Sequence, residues 1–194
     1  MGLTQIVTAF GLAGAAGLNA YIPLLLVAVL GKVGVLQLSK PFDVLTSWPA
    51  IIALTVFLLI EFVVDKVPGA DHVNDVIQTF VRPAAGAVLF AANTGVVQGL
   101  DPTVAIVAGL VMALGVHSAK AAARPVVNLA TLGVGAPIVS VIEDLTSAVA
   151  SFLAIFAPVL FILFVAFVGY VVWRIGRKIR SRKQNTSVGP MGTA

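Results

Sequence analysis

Residues 1–31 carry no ionisable side chain, and this run constrains the fold more than any other feature of the chain. As one straight helix it would be about 46 Å long, against a hydrocarbon core of about 30 Å. It must tilt strongly or break. Gly11, Gly14, Gly17, Asn19 and Pro23 put a break within residues 17–23, because proline removes a ladder donor and glycine costs helix stability. Two pieces are predicted, 3–17 and 20–31. A secretory signal is the rival reading, but no basic stretch precedes the run, which also exceeds an h-region of about 7–15 residues.

Composition extends the argument to the whole chain. Only 10% of the 194 residues are charged and 59% are hydrophobic, whereas a soluble domain carries about 25% charged residues. Too little polar side chain is present to clothe a water-soluble globule. The expected fold is an all-α integral membrane protein with broken or re-entrant helices, a single transmembrane domain over residues 1–178 and a basic, cytoplasmic tail over 179–194. The absence of cysteine excludes disulfides, thiolate metal sites and cysteine nucleophiles.

Further elements follow from charge and punctuation. Residues 44–64 are long enough to cross. The chain then turns polar over 65–82, where Asp71 or Asn74 could cap a helix running to about residue 92. Another helix is expected over 103–123. Gly133, Gly135 and Pro137 predict two short pieces within 125–142, and residues 145–173 read as one crossing with a kink at Pro158. Arg174, Arg177, Lys178, Arg180, Arg182 and Lys183 supply six of the twelve basic residues, directly after Tyr170 and Trp173. That cluster predicts a cytoplasmic C-terminus, explains the basic pI without a nucleic-acid partner, and precedes a polar stretch, 184–194, expected to be disordered.

The sequence also echoes itself. Pro23, Ala28, Leu30 and Gly31 fall on Pro125, Ala130, Leu132 and Gly133 at one offset, and Ile60-Glu61 falls on Ile142-Glu143 at another. As a duplication this gives an inverted repeat of halves 3–93 and 103–173, an architecture that places ligands where the halves meet.

The ionisable groups are few enough to weigh singly. Glu61 and Asp65 are four apart and share a helix face, where like charges repel unless they meet water, a proton or a cation; the plainer reading has Asp65 and Lys66 marking the membrane boundary. His117, Lys120 and Arg124 form one basic stripe. Glu143 and Asp144, or Glu61, are its expected partners, against the plainer alternative of a stripe touching headgroups. Asp71, Asp75 and Arg82 share a face as a secondary polar site. Whether a metal binds there is open, and helix capping is the plainer account of DHVND, since its spacing matches no metal signature. GLAGAAG (11–17) offers a small-residue surface for close helix approach.

The segments EFVVDKVPGADHVND (61–75) and HSAKAAARPVVN (117–128), with AFGLAGAAGLNAYIPLLLVAVLG (9–31) and RPAAGAVLFAA (82–92), resemble the domain-of-unknown-function 4126 family over about residues 5–173. The resemblance implies a bacterial inner-membrane protein whose polar constellation is a family feature. It implies no particular activity.

The functional expectation is therefore a transporter or channel-like permease for a small solute or ion, working as a homodimer in the lipid bilayer. Glu61, Asp65, Glu143 and Asp144 would bind a cation or cycle a proton. Lys120 and Arg124 would act as counter-ions beside His117, and Asn19 and Asn128 would be neutral ligands at the helix breaks. No cofactor is called for. The alternative is a non-transport protein that handles or scrambles lipid or assists assembly. An intramembrane enzyme comes third, because no nucleophile or cofactor motif accompanies the acids.

Overall fold

The computed structural model of the protein describes residues 2–64, 70–93, 99–131 and 135–187. Its helices are α1 (Leu3–Leu18), α2 (Tyr21–Lys32), α3 (Trp48–Val64), α4 (Ala70–Ala92), α5 (Pro102–Thr131), α6 (Ala136–Phe156) and α7 (Pro158–Ser187), with a 3-10 turn at Phe42–Thr46. Among the described residues no strand is formed. Three stretches are long and apolar enough to cross a membrane, Pro102–Ala123, Pro137–Phe156 and Pro158–Arg177, and α1, α2 and α3 are shorter apolar helices.

The expected break is present. Asn19 is extended, with φ −144° and ψ 125°, and the chain folds back. Residues 35–38, which follow α2, return beside Gln5 and Thr8 near the start of α1. Several connections gather at this same end. Leu38 bridges to Asn93, Ser39 bonds the carbonyl of Ala91, Lys32 lies over the Trp48 ring, and the Thr8 hydroxyl donates to the carbonyl of Ala154, 2.6 Å away.

Elsewhere the punctuation reads differently. Pro125 lies inside α5, so the two short pieces expected within 125–142 are replaced by one long helix and the start of α6. The alanines at 121–123 favour helix on its N-terminal side, and helices of apolar bundles tolerate the lost donor. The single crossing expected over 145–173 is instead divided at Ala157, with Pro158 opening α7, where a proline costs no intrahelical bond. α4 begins at Ala70, so Asp71 and Asn74 lie within the helix and do not cap it. Helix α7 continues to Ser187, past the point where disorder was expected to begin.

α1 sits at the centre, touching α4, α5, α6 and α7. Its buried residues are almost all glycine and alanine, so partner backbones come close. A Cβ on Gly17 would stand 2.6 Å from the carbonyl oxygen of Ala113. The broadest contact joins α4 and α5. There Gly86 and Gly109 face each other, and a Cβ on Gly109 would collide with the Gly86 carbonyl and lie 2.6 Å from the Phe90 Cβ. This crossing places α4 and α5 in the register that the polar residues of both helices require.

Burial is inverted relative to a soluble helix bundle. On α3 the buried residues are Leu54 and Glu61, two turns apart on one stripe, while Ile52, Phe57, Leu59, Ile60 and Val63 face outward. Asn19, Gln78, Arg82, His117, Lys120 and Ser147 are buried as well. Large apolar side chains outside, around a core of mostly small apolar residues that encloses polar ones, are what a lipid solvent selects.

Candidate functional site

The site begins where α1 stops. A helix C-terminus leaves carbonyls without intrahelical partners, and here side chains from other helices reach them. The Lys120 ammonium, from α5, donates to the Leu18 carbonyl at 3.1 Å and pairs with the Glu143 carboxylate of α6 at 2.8 Å. The Ser147 hydroxyl donates to the Ala15 carbonyl at 3.0 Å, with the Asn19 carbonyl 3.5 Å away. Asn19 joins both helices of the break. Its Oδ1 accepts from the backbone N–H groups of Tyr21 and Ile22 at 3.0 and 3.1 Å, capping α2, and its Nδ2 donates to Asp144 at 2.9 Å.

One turn along α5 from Lys120 a second group of polar residues begins. Arg82 pairs with Glu61 at 2.9 Å, and their side chains are 1% and 2% exposed. Its other terminal nitrogen lies 3.4 Å from His117 Nδ1, while His117 Nε2 is 3.1 Å from the Thr79 hydroxyl. Gln78 hydrogen-bonds the Tyr21 hydroxyl, tying this group to the start of α2. The two groups form one belt around the α1–α2 break.

The belt is deep. Measured along the helices from the end where residues 38 and 93 meet, Asn19 lies about 24 Å from Leu3, Glu61 about 20 Å from Trp48, and His117 about 22 Å from Pro102. Arg82 is about 15 Å from Ala92, and Glu143 about 20 Å from Phe156. Each of these lengths is shorter than a hydrocarbon core of about 30 Å. A buried pair such as Glu61 with Arg82 costs desolvation that its Coulomb attraction only partly offsets, so its presence there is a matter of chemistry more than of stability.

Against the sequence expectations, the structure brings together Asn19, Glu61, His117, Lys120, Glu143 and Asp144. Lys120 pairs with Glu143 as expected. Arg82, expected beside Asp71 and Asp75, turns inward to Glu61 and His117, because a buried arginine on an otherwise apolar stretch of α4 needs a buried carboxylate. The side chains of Asp65, Asp71, Asp75, Arg124 and Asn128 lie outside the described residues. Tyr21, Thr79, Gln78, Ser147 and the Leu18 carbonyl were not anticipated. The signal for one of them was present, since Gln78 lies one turn before Arg82 and both interrupt an apolar stretch. Among the described residues no group of three or more histidine and carboxylate side chains is gathered as a metal would require.

The class defined by these features is a helical protein with several apolar helices, of the kind that suggests a membrane protein, enclosing a belt of paired charges. The family model for the domain of unknown function DUF4126 matches residues 6–178, and the chain belongs to that family. No curated protein and no solved structure matches it.

Proposed function

We propose that the protein is a permease for a small solute or ion in a bacterial inner membrane, with the belt around the α1–α2 break as its central site. The observation that carries this reading is the burial of Glu61, Arg82, His117 and Lys120 among apolar helices, because ionisable groups inside a membrane are costly and mark solute or proton paths. Arg82 Nε and Gln78 Oε1, buried without a hydrogen-bond partner among the described residues, add a donor and an acceptor for a solute or water.

The same reading takes α1 and α2 as a re-entrant pair. Their lengths of about 24 and 18 Å fall short of the core, and the residues after α2 return beside the start of α1. It takes residues 3–93 and 103–173 as related halves, supported by the parallel roles of Glu61 and Glu143, each paired with a buried base. Arg174 and Arg177 lie about 24 to 28 Å along α7 from Pro158, at the end nearer the belt, so the positive-inside rule puts that end in the cytoplasm. A homodimer would cover α7, whose apolar span buries none of its residues.

Flux of ions and small solutes into liposomes reconstituted with the protein tests the proposal. Glu61→Gln and Glu143→Gln should each lower flux at least tenfold while the protein stays folded. No flux above protein-free vesicles would end it. A second reading, lipid handling, draws on an apolar groove of about 590 Å³ between α2, α3 and α6, lined by Ile22, Leu25, Leu58, Val149 and Phe152. Scrambling of labelled lipid in the same vesicles, unaffected by the two glutamine variants, would favour it.

A further inference from the structure

We infer that the Lys120 ammonium occupies a site for a monovalent cation, built from the carbonyl end of α1 and the Glu143 carboxylate, and that ion and side chain exchange in it. The inference deepens the proposed function by naming its solute class, and it rests on that reading only in taking the belt to be a place that a solute reaches.

A helix C-terminus carries partial negative charge, and the ends of broken helices supply carbonyl oxygens to cations in membrane proteins. Here the end of α1 points into the bundle, and the cation that meets it is tethered to α5. Lys120 Nζ contacts the Leu18 carbonyl at 3.1 Å and Glu143 at 2.8 Å. These are oxygens of the types a hard cation accepts.

The carbonyl end of α1 is held independently of the lysine. Ser147 bonds the Ala15 carbonyl in the same turn, and Asn19 fixes the turn by capping α2 and by bonding Asp144. Lysine is a compact charge on a flexible four-carbon stem, so it can withdraw while the cradle keeps its shape. Exchange of one positive charge for another keeps the charge of the Lys120 and Glu143 pair constant, whereas a divalent ion would add one charge to that pair. The site therefore selects monovalent ions.

Two measurements on detergent-solubilised protein test this. In the first, thermal unfolding is followed in sodium or potassium chloride against choline chloride at equal ionic strength, with magnesium chloride as the divalent arm. Lys120→Ala should gain an upward Tm shift of about 5 °C or more at sodium or potassium a hundredfold above its Kd. Wild type and Lys120→Arg should show little, and adding Glu143→Gln to Lys120→Ala should remove the gain. In the second, an amine-reactive ester is applied to wild-type protein, and mass spectrometry should show Lys120 acylated several-fold faster in sodium or potassium than in choline.

A Lys120→Ala response equal in choline, retained with Glu143→Gln, or confined to magnesium overturns the inference. So does Lys120 labelling that ignores the cation, a readout that holds even where Lys120→Ala fails to fold. Cation binding without flux in liposomes would leave this inference standing and end the transport reading; flux without cation binding would do the reverse.

Discussion

Arg82 Nη1 and His117 Nδ1 lie 3.4 Å apart, and because a guanidinium has no lone pair to offer, the imidazole is the acceptor. With Nδ1 as the acceptor the ring is neutral and its proton sits on Nε2, 3.1 Å from the Thr79 hydroxyl oxygen. The tautomer is set by the two groups that face the ring from α4, one charged and one neutral. Nitrogen-15 NMR of the histidine side chains at neutral pH should show an unprotonated Nδ1 for His117. His117→Gln, whose amide oxygen can accept from Arg82, should keep more stability than His117→Phe, which strands a buried donor at a cost of about 1–3 kcal/mol.

Removing one member of the Glu61 and Arg82 pair leaves the other as an uncompensated buried charge. Arg82→Leu should lower stability by about 3–5 kcal/mol, and Glu61→Leu combined with Arg82→Leu should cost less than the two single changes added together. Denaturant titration of all three variants in one detergent measures the coupling.

The meeting of Gly86 and Gly109 holds α4 against α5. Gly109→Ala drives a methyl group into the facing backbone and should cost about 1–3 kcal/mol, besides separating Arg82 from His117. Gly115→Ala, on the same helix with no atom near the added carbon, should be neutral or stabilising by up to about 1 kcal/mol. Thermal melts of the two variants side by side check the contrast.

Asn19 is a cap and a bridge at once. Asn19→Ala should cost about 1–2 kcal/mol through the lost cap alone. Asn19→Asp keeps an oxygen for the two N–H groups but turns a carboxylate toward Asp144, so it should be the more damaging change, and Asp144→Asn should rescue it. The four Tm values of that cycle decide it.

How much of this was legible in the sequence depends on the kind of signal. The α1–α2 break was, because glycine, asparagine and proline crowd into a run otherwise free of punctuation. So was the partner of Lys120, since an ammonium at that position needs a carboxylate and few exist. Pro125 and Pro158 misled in opposite directions: the first is carried by its helix and the second starts one, and a local pattern cannot distinguish a tolerated proline from a terminal one. Arg82 was misplaced because a helical face was read from its neighbours Asp71 and Asp75 rather than from the apolar residues that follow. The role of the Leu18 carbonyl has no sequence signature, being a consequence of where a helix ends in space.

α3 buries Leu54 and Glu61 most deeply, and Ile51 packs against the same core beside them. Its other apolar residues are spread around the axis and define the angle of the helix only loosely. The rotational phase of the helix is set most strictly by one carboxylate, so apolar replacements at Ile52 or Ile60 are interchangeable, while a shift of that acid by a single position would turn the helix by about a hundred degrees.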